Sequence, residues 1–533
     1  MRALDAARLC AAGGVALVQS GVIGPVAPWR AVKMGLAAHR NGVSPAMLAA
    51  VSAARWPNHP AILDERGTLT YAELERRSNA LAAALAHDFG VGPQRALAVM
   101  CRNHRGFVES MLAAAKIGAD VVLLNTEIPG PQLARALERH TLGAIVHDEE
   151  FAEPIAAAGY RGPRVLAWHD AGAEPNLEDL IARQGQCARR PGHVGSLILL
   201  TSGTTGAPKG VPRKPSLGSI AGAGITALSR LRLRACESTF IAVPLFHGFG
   251  MVMMLMGLML GSTLVLQRRF VAEEVAAAIT RHRVTTLGVV PVMLQRLLAA
   301  SSLGRGTALR AVLSGGAPLV PSLATAFMDA VGDVLYNGYG SSEVGIAALA
   351  TPADLRAAPG TVGRPVLATP IGIVDDAGAP VAVGRTGRIL VGGEMVFGGY
   401  SGGGSKEMLA GLMSTGDVGH FDAAGRLFID GRVDEMIVSG GENVFPQGVE
   451  HVLGAHDDVI EAAVIGVPDA EFGQRLRAFV VLRSHSTSIE SLEDYVRRHV
   501  ARYEVPRDIV ILDELPRNAT GKILRSELRA MKD

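Results

Sequence analysis

Hydrophobic and polar positions along this chain alternate between two periods. Residues 61–64 read as a short strand ahead of a turn at Arg66-Gly67. Thr70, followed three residues later by Glu73, is a capping-box signature for a helix running through Leu85. Apolar runs at 96–100 and 120–124 read as strands, and 106–117 and 132–140 as helices. The rhythm returns at 239–243, 263–266, 286–290 and 311–314, each near a helical pattern. Strands alternating with helices predict βαβ units and largely parallel sheets. After about residue 380 the pattern shifts to short strands at 388–391, 425–429 and 434–438, with a flexible Gly402-Gly403-Gly404 loop. From Glu435 the pattern predicts a compact α+β unit, with helices at 449–453 and 489–499 and strands at 460–466 and 478–482.

Two apolar stretches raise the question of a membrane. Residues 249–266 carry no formal charge, but Gly257, Gly261, Ser262 and Thr263 divide them into a Met-rich helix and a short strand, which predicts buried core. Residues 9–35 are interrupted by Gln19, Pro25, Pro28 and Arg30 and lack a signal-peptide pattern, leaving either a segment packed on its own domain or a peripheral membrane contact. A chain of 533 residues exceeds one ordinary core, so two or more domains are expected. A net charge of +2 gives no argument for nucleic acid. The four cysteines are far apart, without a C-x-x-C pair, which fits a cytoplasmic protein without a disulfide framework or a zinc site.

The chemistry-bearing residues fall in five segments. An apolar strand at 197–200 runs into Thr201-Ser-Gly-Thr-Thr-Gly206, Lys209 and Gly210. Glycines let backbone N–H groups approach an anion, hydroxyls add donors and a lysine adds point charge. The Walker A pattern fails, because Gly210 and not Ser or Thr follows Lys209. A second strand ends in Ser314-Gly-Gly-Ala-Pro318, a bare turn able to accept a flat ring. Tyr336-Asn-Gly-Tyr-Gly-Ser-Ser-Glu343 places an aromatic face, hydroxyls and one carboxylate within a single run, and Glu343 suits a magnesium ion. Asp417 and Arg432 offer a carboxylate and a guanidinium for a ribose. Last is a basic tip, Pro516 to Arg525, that contains Lys522.

In order and spacing these motifs resemble the adenylate-forming superfamily of acyl-CoA synthetases, nonribosomal adenylation domains and luciferases, from about residue 55 to 530. The resemblance implies an α/β fold: an extension (1–54); a large AMP-binding domain (55–431) of mixed and parallel sheets flanked by helices, with a small β-barrel-like part; a hinge (432–434); and a mobile α+β C-terminal domain (435–533). It implies ATP, Mg2+ and coenzyme A as cofactor and co-substrates. Thr201, Ser202, Gly203, Thr204, Thr205, Gly206 and Lys209 would cover the β- and γ-phosphates, with Thr204 joining Glu343 at the metal. Gly315, Gly316, Ala317, Asn337, Gly338 and Tyr339 would form an adenine shelf, Gly340 would also contact the nucleotide, and Ser342 would sit near the α-phosphate. Asp417 and Arg432 would hold the ribose and Asp434 would be the hinge. Lys522 would be the lysine that drives adenylation. His247, Phe249, Gly250, Val344 and Gly345 would line the acyl pocket, and Ser439, Gly440 and Gly441 a pantetheine channel.

The substrate follows from what is missing. Amino-acid adenylation domains carry Phe-Asp where this chain has Phe246-His247, so an ammonium group would lose its counter-ion. The Met-rich run after Phe249 adapts to aliphatic shapes, so a medium- to long-chain fatty acid is the expected acid. The alternatives are an aryl or short-chain acid–CoA ligase and an acyl-AMP ligase loading a separate carrier protein. Eleven residues follow Lys522, which makes free CoA the expected acceptor.

Overall fold

The computed structural model describes residues 13–170, 175–183, 193–201, 209–213, 217–300, 303–439, 442–469, 472–483 and 487–531. Two large sheets share one core. The nine-stranded sheet has a parallel centre, in the order Leu335–Ser341, Ala311–Gly315, Thr286–Val289, Ser238–Ile241, Thr263–Val265 and Pro60–Asp64, with antiparallel strands at both edges. In the six-stranded sheet, Arg164–Trp168, Leu142–Asp148, Ala96–Met100, Val121–Leu123 and Leu197–Thr201 run parallel, and Lys209–Arg213 returns antiparallel.

Helix Arg105–Lys116 lies between the sheets, and each of its residues is buried. Its charged residues Arg105, Glu109 and Lys116 share one face and are each paired there, with Asp64, Arg77 and Glu75, while the rest of the helix is apolar. Asp64 accepts from the Arg105 backbone N–H at 2.9 Å and pairs with its guanidinium at 2.5 Å, so the buried charges satisfy each other. The expected capping box is present: Thr70 caps helix Tyr71–Phe89, which ends on left-handed Gly90. The Met-rich run is helix Gly248–Met259 followed by strand Thr263–Val265, as its pattern predicted.

A smaller antiparallel sheet follows, made of Ile371–Val374, Gly387–Val391, Met408–Leu409, Leu412–Phe421 and Leu427–Arg432. The strand expected at 434–438 is instead a short 3-10 turn, Val433–Glu435, and then strand Ile437–Ser439. From Ile437 onward the buried side chains form two clusters of their own, one on each face of a second five-stranded sheet, in which the hairpin Val459–Asp469 and Gly473–Leu482 is longer than its sequence pattern suggested. This unit meets the large one along polar contacts, with Gln295 donating to the Ile460 carbonyl at 2.9 Å and Ser322 to the Gly454 carbonyl at 3.0 Å. Among the described residues, no helix is long and apolar enough to cross a membrane.

Candidate active site

A cleft of about 2340 Å³ opens where the three sheets of the large unit and the C-terminal unit converge. That is several times the volume that holds one small molecule, so it has room for more than one substrate. Its floor lies at the carboxyl ends of parallel strands, the usual place for ligands in such sheets. Strands Ala311–Gly315 and Leu335–Ser341 pair Ser314 with Asn337 and Gly315 with Gly338. A Cβ on Gly315 would stand 3.2 Å from the Gly338 carbonyl oxygen, and Gly316 is left-handed at φ 81°, so this edge is bare backbone because the geometry requires it. Gly315, Gly316, Ala317, Asn337, Gly338, Tyr339 and Gly340 all line the cleft, as their motifs suggested.

A charged chain of contacts closes one side. Asp417 and Arg432 face each other across the antiparallel pair Leu412–Phe421 and Leu427–Arg432. Asp417 accepts from the Tyr339 hydroxyl at 2.6 Å and from Arg432 at 3.0 Å, while Arg432 grips Asp434 with two N–H groups at 2.8 and 3.1 Å. Burial pushes the Asp417 carboxyl up, against the pull of Tyr339 and Arg432. Burial also raises the Tyr339 hydroxyl well above its ordinary range, and the Asp417 charge adds to the effect. Burial acts the same way on Asp434, but the Arg432 pairing outweighs it and holds that carboxyl below the usual range.

Glu343 is buried at the cleft edge and accepts from the Tyr400 hydroxyl at 3.1 Å. Burial, then the Glu343 charge, pushes that hydroxyl up to about 12, so Tyr400 remains a donor at working pH. The Lys209 ammonium sits over the Tyr400 ring, 5.1 Å from its centroid, and links the phosphate-loop strand to the carboxylate. Arg213 donates to the carbonyls of Met395 and Ser342 and tethers the same strand beneath Glu343. Burial lowers its guanidinium to about 10, with the Glu343 charge opposing. A hard, acceptor-only oxygen on a hydroxyl-fixed carboxylate is the donor type magnesium takes, so Glu343 fits that ion. The motifs did not single out Tyr400 or Arg213. The only signals were an aromatic residue beside the Gly402–Gly404 loop and an unusual basic run after Val211.

Lys522 comes from the other unit. Its loop is organised by Asn518, whose side-chain oxygen accepts from the backbone N–H groups of Thr520 and Lys522, both at 3.0 Å. Gly521 is left-handed at φ 77°, and a Cβ there would lie 2.9 Å from Val290, so the turn seats directly on the large unit. Lys522 thereby lines the cleft, close enough for its charge to favour the ionised carboxylates of Asp417 and Asp434.

The acyl side is less faithful to expectation. His247 and Phe249 line the cleft, and His247 caps helix Gly248–Met259 by accepting from the Phe249 N–H at 3.4 Å. Burial lowers the His247 pKa, so the ring is a neutral wall residue. Gly345 lines the cleft, but Gly250 and Val344 do not. A Cβ on Gly250 would meet the Pro244 carbonyl at 2.2 Å, and Val344 is packed in the large core. Gly248, Met251, Leu255, Met256 and Met259 form the wall instead, one face of the same helix. Ser439 lies on strand Ile437–Ser439, off the cleft. Ser202, Gly203, Thr204, Thr205, Gly206, Gly440, Gly441 and the Thr201 side chain lie outside the described residues. A buried trio elsewhere, Cys101, His104 and Asp148, has metal-like spacing, but His104 already bonds Asp148 at 2.7 Å and the Gly106 N–H at 3.1 Å, so it serves the fold.

Such a cleft, joining a bare ring shelf, a metal-competent carboxylate and a lysine carried by a second unit, defines a nucleotide-dependent ligase. The chain belongs to the AMP-binding enzyme family, which matches residues 49–401, with its C-terminal domain matching 448–522. It is 34% identical over 490 residues to a feruloyl-CoA synthase of Amycolatopsis sp., covering 90% of this chain and 97% of that protein. It is 32% identical over 500 residues to an indoleacetate–CoA ligase of Aromatoleum aromaticum, covering 89% and 95%. The solved o-succinylbenzoate CoA synthetase of Bacillus subtilis, in complex with its acyl-adenylate, superposes with a TM-score of 0.79 at 28% identity, covering 91% of this chain and 98% of that one. The acid–CoA ligase reading stands, with ATP and CoA as co-substrates and Mg2+ as the metal. These relatives are named for aromatic acids and not for fatty acids.

Proposed function

We propose that this chain is an AMP-forming ligase that joins an aromatic carboxylic acid to CoA through an acyl-adenylate. The observation that carries this reading is one continuous cleft, in which the Met-lined wall, free of any charged side chain, leads to Glu343, Asp417 and Lys522. An aromatic ring suits that wall because thioether sulfurs make favourable contacts with ring edges. The similarity to enzymes named for feruloyl, indoleacetate and succinylbenzoate supports the same class of acid.

In the first half-reaction the acid carboxylate attacks the α-phosphorus of ATP and pyrophosphate leaves. Both reactants are anions, so the barrier is largely electrostatic and positional. Lys522 places a cation beside the attacking oxygen and the α-phosphate, Asp417 orients the ribose, and Lys209 accompanies the departing phosphates. Glu343 would hold the magnesium ion, which would neutralise charge on the phosphate oxygens. No enzyme nucleophile is needed. In the second half-reaction the CoA thiolate displaces AMP from the acyl-adenylate, and rotation about Asp434 withdraws Lys522 to admit it.

The test is pyrophosphate release and thioester formation across benzoate-, cinnamate- and arylacetate-type acids and saturated fatty acids, each with and without CoA. An aromatic acid should exceed every fatty acid by at least about tenfold in kcat/KM, a barrier difference of about 1.4 kcal/mol, with thioester as product. A fatty acid giving the best response contradicts the proposal.

A further inference from the structure

The residues ahead of the family match carry a surface that the ligase chemistry does not use. Helix Pro28–Asn41 spans about 21 Å, and none of its residues is fully buried. Met34, Ala37 and Ala38 are half-buried on the side that packs on helix Pro45–Arg55. Trp29, Val32 and Leu36 face outward, exposed to 65%, 63% and 49%. At about 100° per residue these three fall within about 60° of one another, with His39 on one flank and Lys33 and Arg40 on the other. Six of the sixteen exposed large hydrophobic side chains among the described residues lie between Val15 and Leu36, a concentration that scattered surface exposure does not produce.

Charge identifies the occupant. From residue 6 to residue 63 there is no Asp or Glu, while the helix itself carries Arg30, Lys33 and Arg40; Arg55 is buried and donates to the Gly21 and Val22 carbonyls, so it is not part of this face. A second copy docked on this face across a two-fold axis would set this cationic, carboxylate-free helix against an identical one, so no residue of either helix could offset Lys33 or Arg40. An anionic surface with an apolar interior complements both features: phosphates for the cations and acyl chains for Trp29, Val32 and Leu36.

We propose that this helix docks the enzyme on an anionic lipid bilayer, lying in the interface with Trp29 at headgroup depth. The next helix borders the cleft through Ser44, Pro45 and Leu48, so a docked enzyme holds the apolar end of its acid site close to the lipid. This inference rests on the surface alone and does not depend on which acid is activated.

The experiment is sedimentation of the full chain with phosphatidylcholine vesicles, with and without one-third phosphatidylglycerol. It compares wild type with the triple variant Trp29→Ser, Val32→Ser, Leu36→Ser and the double variant Lys33→Glu, Arg40→Glu. Wild type should bind the anionic vesicles and release as salt rises, and each variant should bind at least about tenfold more weakly. Vesicle-free ligase turnover should be unchanged in both. Trp29 emission provides a second readout on unaltered protein: brominated acyl chains should quench it, and the quenched fraction should vanish in Trp29→Phe. Equal binding to neutral and anionic vesicles, unweakened variants, or absence of quenching would overturn the proposal. A dimer that the triple variant converts to monomer in the ultracentrifuge would also overturn it and assign the face to a second copy.

Discussion

The glycine shelf and the Lys522 loop meet in one cleft but are positioned by different physics. The shelf sits on two neighbouring parallel strands inside the nine-stranded sheet, so register and the buried core beneath it determine every backbone position. The lysine loop is a five-residue turn, closed by Asn518 on a small separate core and seated on Val290 and Val292 at one glycine. A tightly packed core cannot deform continuously, whereas a small contact between two separately cored units can open. On the proposed mechanism, the packed core fixes the binding half of the site and a separately cored unit carries Lys522, the charge that the first half-reaction needs and the second does not.

The largest expected effect is on Lys522. Lys522→Ala should slow acyl-adenylate formation by about a thousandfold or more, a loss of about 4 kcal/mol of transition-state stabilisation, measured as pyrophosphate release, while thermal stability stays at wild type. On the shelf side, Asp417→Asn should raise the ATP KM at least about tenfold by removing the charged acceptor of Arg432 and Tyr339. Its kcat at saturating ATP should fall less. An equal loss in both would mean that Asp417 acts in the chemistry and is not confined to the binding half.

Gly521→Ala tests the seat of the loop. Alanine at φ 77° costs about 1–2 kcal/mol, and its Cβ presses on Val290, so adenylation should slow about tenfold with thiolysis less affected. Loss of ATP binding in this variant would erase the distinction between shelf and loop. Tyr400→Phe removes one hydrogen bond to Glu343 and should raise the magnesium concentration needed for half-maximal rate a few-fold, by about 1 kcal/mol.

The smallest effect is at His247. Its folded pKa lies below its unfolded value of about 6.5 because burial disfavours the charged ring. The unfolded chain therefore binds the extra proton first, so the stabilisation from the neutral cap is complete above about pH 6.5 and lost as pH falls through the folded value. His247→Asn keeps a capping side chain and should flatten that part of the thermal unfolding profile, by about 1 kcal/mol or less.

What could be read from the sequence was local or serial. Thr70 and Glu73 announced a helix start three residues apart, and the βαβ rhythm announced parallel sheets because its period is intrinsic to each segment. Asp417 and Arg432 were legible through their motif, but their contact depends on cross-strand register, which no single segment carries. Gly250 and Val344 went to the wrong face because a helix turn and a strand bend rotate neighbours out of the pocket while leaving the motif intact. The Met-rich run marked an adaptable apolar wall correctly, yet methionine packs against rings as readily as against alkyl chains, so it did not choose the acid. Tyr400 and Arg213 were hidden because they act on Glu343 and on the neighbouring Ser342 carbonyl from far along the chain.

The division between rigid shelf and removable lysine is tested most directly by supplying Lys522→Ala with a preformed aromatic acyl-adenylate and CoA and measuring the rate of thioester formation. A rate close to wild type, from an enzyme that no longer releases pyrophosphate from ATP and acid, is the expected result. Loss of both half-reactions to the same extent would contradict it.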